Sequence, residues 1–278
     1  MINFKSLLIL AAAALCSLQA QAATCCQADS LQRDDCGVVR KINPQNKEIY
    51  LVFTAHFSTN DQGKFENFDG IWSVLDTLKS RGVHGSFFPT GVCFEQPKYE
   101  RAIERILLEG HYLSAHSYGH LLLVDDNGKT RIGADSIARD LAKMQHQLER
   151  FGLAKSQFRW MIPPYETYNQ ETADALRQGG YSLLNPTAGI ITDMDWAPLG
   201  AKGYRTGQQI LDNLWAYEQQ HTLQGVILLV HAMHYPNRPD QDRVYTHLGE
   251  IIDHLRAEGY QFKTLKDVIA HERCLCRP

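Results

Sequence analysis

Apolar residues recur along this chain in two alternating forms, short unbroken runs and helical stripes. Ile49 to Thr54 is β-branched, aromatic or aliphatic throughout, which predicts a strand buried on both faces. Phe68 to Leu78 then places Ile71, Val74, Leu75 and Leu78 at helical spacing, and Gly82 stops the helix. The same unit repeats. Val83 to Phe88 predicts a strand, Lys98 to Leu108 a helix, and His111 to Ala115 a short strand. Ser136 to Phe151 predicts a long amphipathic helix with Ile137, Leu141, Met144, Leu148 and Phe151 on its buried stripe. Further strands are predicted at Phe158 to Ile162, Tyr181 to Leu184, Ile190 to Thr192, Gly225 to Val230 and Tyr260 to Phe262. Helices are predicted at Gln170 to Gln178, near Gln208 to Gln220 and around Thr246 to Gly259.

Strand and helix alternation over this length predicts an α/β fold, a (β/α) barrel or a deformed version of one. A doubly wound sheet is the alternative. No Gly-rich loop follows the first strand, so a nucleotide-binding version of that sheet loses its support.

At the start, Lys5 precedes an apolar stretch from Leu7 to Leu18, and Gln19-Ala20-Gln21-Ala22 offers a small-residue exit. That order predicts a secretory signal over residues 1–22 and a periplasmic or secreted product. Nothing later is long and apolar enough to predict stable membrane insertion. The remaining residues carry no Gly, Ser or Pro-rich linker, so one large core, residues 49–268, is expected. Lys and Arg number 28 against 31 Asp and Glu, with no basic stripe, which argues against nucleic acid as a partner.

Of the seven cysteines, Cys16 falls in the leader, and Cys25, Cys26, Cys36, Cys274 and Cys276 flank the predicted core. Only Cys93 lies within it. In an exported chain this distribution predicts a stapled extension over residues 23–48 and a Cys-containing tail over 269–278. A zinc-thiolate site is the competing explanation, weakened by the absence of a Cys-x2-Cys knuckle.

The predicted chemistry lies at the ends of the apolar runs, where β/α folds carry their sites. His116 and His120 stand four apart in Ser114-Ala115-His116-Ser117-Tyr118-Gly119-His120, a spacing that lets two imidazoles share one divalent ion. Pro163-Pro164-Tyr165-Glu166, Asp193-Met194-Asp195-Trp196 and the run ending in His231 supply further polar groups. Together they point to a metal-assisted hydrolase.

These segments resemble the polysaccharide deacetylase family, also called the NodB-homology domain or carbohydrate esterase family 4, over approximately Ile49 to Val268. The family's His-Ser/Thr-x-x-His metal motif matches His116-Ser117-Tyr118-Gly119-His120, and its late Leu-x-His motif matches Leu229-Val230-His231. Asp195-Trp196 is similar to the family's aspartate that orients the late histidine and its tryptophan beside the acetyl pocket. Gly82-Val83-His84-Gly85-Ser86-Phe87-Phe88 is similar to the second strand and its approach. The resemblance implies a deformed (β/α) barrel that removes acetyl groups from N-acetylated, or sometimes O-acetylated, glycans with Zn2+ or a related ion.

Two motifs depart from the pattern. Where most members read Thr-Phe-Asp-Asp, this chain reads Phe53-Thr54-Ala55-His56-Phe57, and the usual Arg-Pro-Pro-Tyr reads Ile162-Pro163-Pro164-Tyr165. An aspartate base and the arginine that holds it are absent together, which avoids a cation left without its anion. The chain resembles a less common bacterial subset with Phe-Thr-Gly/Ala-His and Pro-Pro-Tyr-Glu. His56 thus becomes the expected third metal ligand beside His116 and His120, although it also suits an ordinary rim histidine.

Glu166 is the leading candidate for the base, with helix capping as its bland alternative. Asp61, in a turn beside Asn60 and Gly63, is the second candidate, and Glu66 is weaker. His231 is the expected acid, oriented by Asp195, and the Tyr165 backbone NH the expected oxyanion donor. Asp193 is left to substrate or support, and His234 to a polar loop. The primary expectation is a metal-dependent deacetylase of an acetylated polysaccharide or oligosaccharide. The alternatives are a catalytically altered carbohydrate-binding protein, whose surface would use Trp160, Tyr165, Tyr168, Trp196 and Tyr204, or an O-acetyl esterase.

Overall fold

The computed structural model describes residues 30–59 and 65–268. The predicted leader and Cys25, Cys26, Cys274, Cys276 and Asp61 lie outside the described residues. Among the described residues there are eleven strands: β1 (Leu31–Arg33), β2 (Val39–Ile42), β3 (Glu48–Ala55), β4 (Ser58–Thr59), β5 (Phe65–Glu66), β6 (Ser86–Pro89), β7 (Tyr112–Leu113), β8 (Trp160–Met161), β9 (Ser182–Leu183), β10 (Val226–His231) and β11 (Gln261–Lys263). The α-helices among the described residues are α1 (Ile71–Arg81), α2 (Gly91–Phe94), α3 (Pro97–Leu108), α4 (Ala134–Arg150), α5 (Gln170–Gln178), α6 (Gly207–His221) and α7 (Leu248–Ala257).

The main sheet runs β1-β2-β10-β3-β6-β7, with β11 also on β3. β3 is long enough to hold three neighbours. Its first residues pair with β11, its last four with β6, and its other edge with β10 from Val226↔Ile49 to His231↔Thr54, all parallel. β8 and β9 form a separate parallel pair. Single bridges, Ala115↔Met161 and Val39↔Leu184, connect that pair to the main sheet. Two-residue strands and lone bridges replace full ladders on this side, so the sheet curls into a deformed, incompletely closed barrel.

Residues Val226 to Val230 have no exposed surface, as expected for a central parallel strand covered on both faces. Gly225 immediately precedes β10 at φ +69°, and a Cβ there would lie 2.3 Å from the Ile42 carbonyl oxygen. Glycine is therefore needed where β10 meets β2. The helices lay their predicted stripes on the sheet; α1 buries Ile71, Val74, Leu75 and Leu78. α5 is capped by Asn169, which accepts from the Thr172 amide at 3.0 Å.

Some elements differ from expectation. β1 and β2 were not anticipated, and Ile190 to Thr192 is loop rather than strand. That loop is held by side chains instead, with the Ile191 amide donating to Asn213 Oδ1. Cys36 and Cys93 are not bonded to each other, and burial pushes the Cys93 thiol up to about 12. Among the described residues no helix is long and apolar enough to cross a membrane.

Candidate active site

The site residues gather where β3, β7, β8 and β10 end. His56 follows β3; its backbone NH donates to Met233 Sδ at 3.1 Å, and its Nδ1 lies 3.4 Å from Thr90 Oγ1. Burial lowers its ring to about 4, so it is neutral at pH 7.

His116 and His120 lie on a strained turn beyond β7, with Ser117 at φ +65° and His120 at φ +53°. Asp140 holds this turn. Its Oδ1 accepts from the Tyr118 amide at 2.7 Å and its Oδ2 from the Gly119 amide at 2.8 Å. The Gly91 and Val92 amides meet the Ser117 and Tyr118 carbonyls from the other side. Sequence reasoning missed Asp140, although a carboxylate between Ile137 and Leu141 on the buried stripe of α4 was a usable signal.

His116 is 2% exposed, and burial pushes it down to about 3. The neutral ring donates from Nδ1 to the Ile162 carbonyl at 2.8 Å, which leaves Nε2 as an acceptor. Nε2 lies 3.8 Å from Glu166 Oε1. Burial lowers His120 well below its ordinary value, with the His116 charge adding to the effect.

Beyond β8, Tyr165 and Glu166 occupy consecutive left-handed positions at φ +57° and +56°. The Glu166 carbonyl accepts from Asn185 Nδ2 at 2.8 Å. Turned inward by this bend, Glu166 buries Oε1 without a hydrogen-bond partner. Burial raises its carboxyl to about 7 against the opposing pull of the His231 charge. Tyr165 turns the other way and is 46% exposed.

His231 ends β10 and meets Asp195, with Nδ1 2.7 Å from Oδ1. Asp195 Oδ2 also accepts from the Val244 amide at 3.3 Å. Burial disfavours the charged ring, but Asp195, through its charge and hydrogen bond, outweighs it with help from Glu166 and Asp193, and His231 rises to about 9. Asp193 is itself raised, first by burial, and also feels the His231 charge. A protonated imidazole thus stands among three acids.

The expectation of zinc on His56, His116 and His120 is corrected by the ring geometry. Among the described residues, no group of three His, Cys, Asp or Glu side chains could hold one metal ion. His56 stacks on His120 at 4.5 Å between centroids and 25° between planes, and His120 stacks on Tyr165 at 4.1 Å and 24°. A metal bound to an imidazole nitrogen lies close to the plane of that ring. Two nearly parallel, stacked planes do not converge within the zinc–nitrogen bond of about 2.0–2.1 Å. His56, His120 and Tyr165 therefore form a column, with the His116 ring beside it tilted 46° to His120, rather than a three-histidine ligand set, and the residues present do not fit the ion.

The five candidate sugar-contacting aromatics also divide. Trp160 is 1% exposed and belongs to the core, where its carbonyl accepts from the Ser114 hydroxyl. Tyr168 and Tyr204 direct their hydroxyls to Asp34 and Asp242. Tyr165 and Trp196 remain about half exposed.

A sequence profile of polysaccharide deacetylases matches residues 43–184. The chain belongs to the polysaccharide deacetylase family. Members similar to it include the peptidoglycan-N-acetylmuramic acid deacetylase PdaA of Bacillus subtilis, 26% identical over 232 residues, which cover 82% of this chain and 73% of that protein. The solved structure of PdaA, a family 4 carbohydrate esterase, superposes with a TM-score of 0.59 at 23% identity, covering 84% of this chain and 86% of the other. A family 4 pseudoenzyme from Bacillus anthracis superposes with a TM-score of 0.60 at 16% identity, covering 83% and 68%. The polysaccharide deacetylase fold thus accommodates both a named deacetylase and a pseudoenzyme.

Proposed function

We propose that this chain is an exported carbohydrate-binding member of the family, which recognises an acetylated glycan with an altered catalytic set. The observation that carries the proposal is the column His56, His120 and Tyr165, stacked at 4.5 and 4.1 Å where the family's metal chemistry is expected. Stacked rings fix Tyr165 as a rigid, half-exposed aromatic face, the kind of surface that receives the apolar face of a sugar ring. Trp196, adjacent to Asp195, offers a second such ring at 47% exposure. The first motif supports the same conclusion, because Ala55-His56 stands where the family's paired carboxylates are expected. The existence of a family 4 pseudoenzyme with this fold agrees with it.

A second reading, an O-acetyl esterase, is favoured by one specific observation. Glu166, raised to about 7, and His231, raised to about 9, provide a base and an acid near the same place. In that reading ionised Glu166 takes a proton from water as the water oxygen attacks the acetyl carbonyl. The tetrahedral intermediate then collapses, the ester C–O bond breaks, and His231 gives its proton to the departing sugar oxygen. The Tyr165 backbone NH is the proposed donor to the oxyanion. An ester suits this set better than an amide, because it loses less resonance on attack and its leaving oxygen needs less protonation.

Calorimetric binding of a soluble N-acetylglucosamine pentamer and of an O-acetylated oligosaccharide, with acetate release followed in parallel, tests the proposal. Binding that weakens when the acetyl groups are removed, without acetate release from either ligand, is the expected result. Acetate release from the O-acetyl sugar that is lost in Glu166→Gln with binding retained would establish the esterase instead. Turnover of the N-acetyl oligomer that depends on an added divalent ion would overturn both.

A further inference from the structure

Arg238 is 3% exposed and lies seven residues beyond His231. Its guanidinium is used on backbone carbonyls from two other segments as well as its own. NH1 donates to Ala197 at 2.7 Å, NH2 to Arg205 at 2.6 Å and to Asp242 at 2.6 Å, and Nε to Asp242 at 2.9 Å. The Tyr204 ring lies 5.0 Å from its central carbon. On the far side, the Asp242 carboxylate accepts from the Gly207 amide at 2.8 Å and from the Tyr204 hydroxyl, tying the start of α6 to the same knot. Asn237 adds its carbonyl, which accepts from the Leu199 amide at 3.0 Å.

Residues 195–206 form a rim loop, and this knot grips it near both ends. Ala197 is one residue from Trp196 and two from Asp195. The loop turns outward on either side of the first grip, with Trp196 just before it 47% and Leu199 just after it 65% exposed. Apolar burial under such a tip is small, so the backbone bonds set its position. A planar guanidinium can hold carbonyls in several directions at once, which a single ammonium cannot. Burying a cation for backbone contacts is rarely the cheapest route to stability, and fixing one conformation is the better account of it here.

We propose that Arg238 is a positioning residue: it sets where Trp196 stands at the glycan-contacting rim and holds Asp195 in register with His231. The rim's contact with sugar rests on the carbohydrate-binding function proposed above; the clamp itself does not.

The test compares Arg238→Gln and Arg238→Lys with the unaltered chain. Acrylamide quenching of Trp196 is obtained by subtracting the fluorescence of the matching Trp196→Phe protein. Affinity for the N-acetylglucosamine pentamer is measured on the same set with Trp196→Ala included. Arg238→Gln is expected to raise Trp196 quenching and to weaken the pentamer by about 10-fold, as Trp196→Ala does. The double variant is expected to bind no more weakly than either single one. Arg238→Lys is expected not to restore the unaltered quenching. Should Arg238→Gln not fold, Tyr204→Phe loosens the same knot through Asp242 and is expected to raise quenching in the same direction. Unchanged Trp196 quenching in every folded variant, or affinity losses that multiply, would overturn the proposal. Quenching uses no ligand, so a chain that binds no pentamer defeats the binding function while leaving the clamp to be decided by fluorescence.

Discussion

Asp195 Oδ1 lies 2.7 Å from His231 Nδ1, with Asp195 2% and His231 8% exposed. The carboxylate makes a charged imidazole stable in an interior that would otherwise keep it neutral. His231 rises to about 9 from an unfolded value near 6.5. The associated stabilisation is therefore complete below pH 6.5 and is lost as pH rises through 9. Asp195→Asn should remove that slope, lower the His231 midpoint by more than a unit, and cost on the order of 3 kcal/mol at pH 6. NMR titration of the His231 ring and urea unfolding across pH 6 to 9 check both parts. A His231 midpoint unmoved by the substitution would show that Asp195 is not its source of charge.

Lys155 gives a prediction of opposite sign. Its buried Nζ has no hydrogen-bond partner and lies 3.5 Å from the centre of the Tyr181 ring. Burial lowers the amine to about 8. Since the fold prefers the neutral amine, the stability linked to it is present above the unfolded value of about 10.4 and is lost as pH falls through 8. Lys155→Met should stabilise the chain at pH 7 by about 1 kcal/mol, the shift being discounted for partial solvent access. The advantage should shrink by pH 10. Paired urea titrations at the two pH values measure it, and an advantage independent of pH would point to packing alone.

Asp140 predicts a loss of order at the histidine turn. Its carboxylate accepts from two successive amides at 2.7 and 2.8 Å. Asp140→Ala should cost about 3 kcal/mol, since both donors lose a charged acceptor. It should also weaken glycan binding by freeing His120 from beneath Tyr165. Equal destabilisation with unchanged binding would show that the ring column does not depend on the turn.

Tyr165 separates stacking from turnover. Tyr165→Ala should weaken the N-acetylglucosamine pentamer by about 10-fold, the scale of one well-placed aromatic contact. Tyr165→Phe should retain most of the affinity. Calorimetry on both variants distinguishes a ring-face contact from one made by the hydroxyl.

The strand and helix units were readable where a long apolar run or stripe had a clear stop. β10 is buried at every residue from Val226 to Val230, and α5 begins directly after Asn169. β1 and β2 were not readable, because Leu31–Arg33 and Val39–Ile42 are short and partly polar, β1 pairing only with β2 and β2 resting on β10, distant in sequence. At the site, the meeting of Asp195 with His231 was announced by two visible motifs, although His231 ends a strand and Asp195 stands in a loop. Ring orientation was hidden. It depends on left-handed backbone at Ser117, His120, Tyr165 and Glu166, none of them glycine, so residue type carried no sign of the turns that stack the imidazoles instead of converging them.

β3 pairs with β10 along one edge and with β11 and β6 along the other. During synthesis, β6 can cover part of one edge of β3 after about 30 residues, whereas the other edge waits about 170 residues for β10, and this long closure favours slow, late assembly. A chain ending before Val226 would expose a long apolar edge and be prone to self-association. Because His231 closes the strand that covers this second edge, a nascent protein acquires its charged imidazole in the same event that encloses β3, and a chain stopped before β10 cannot present a working site.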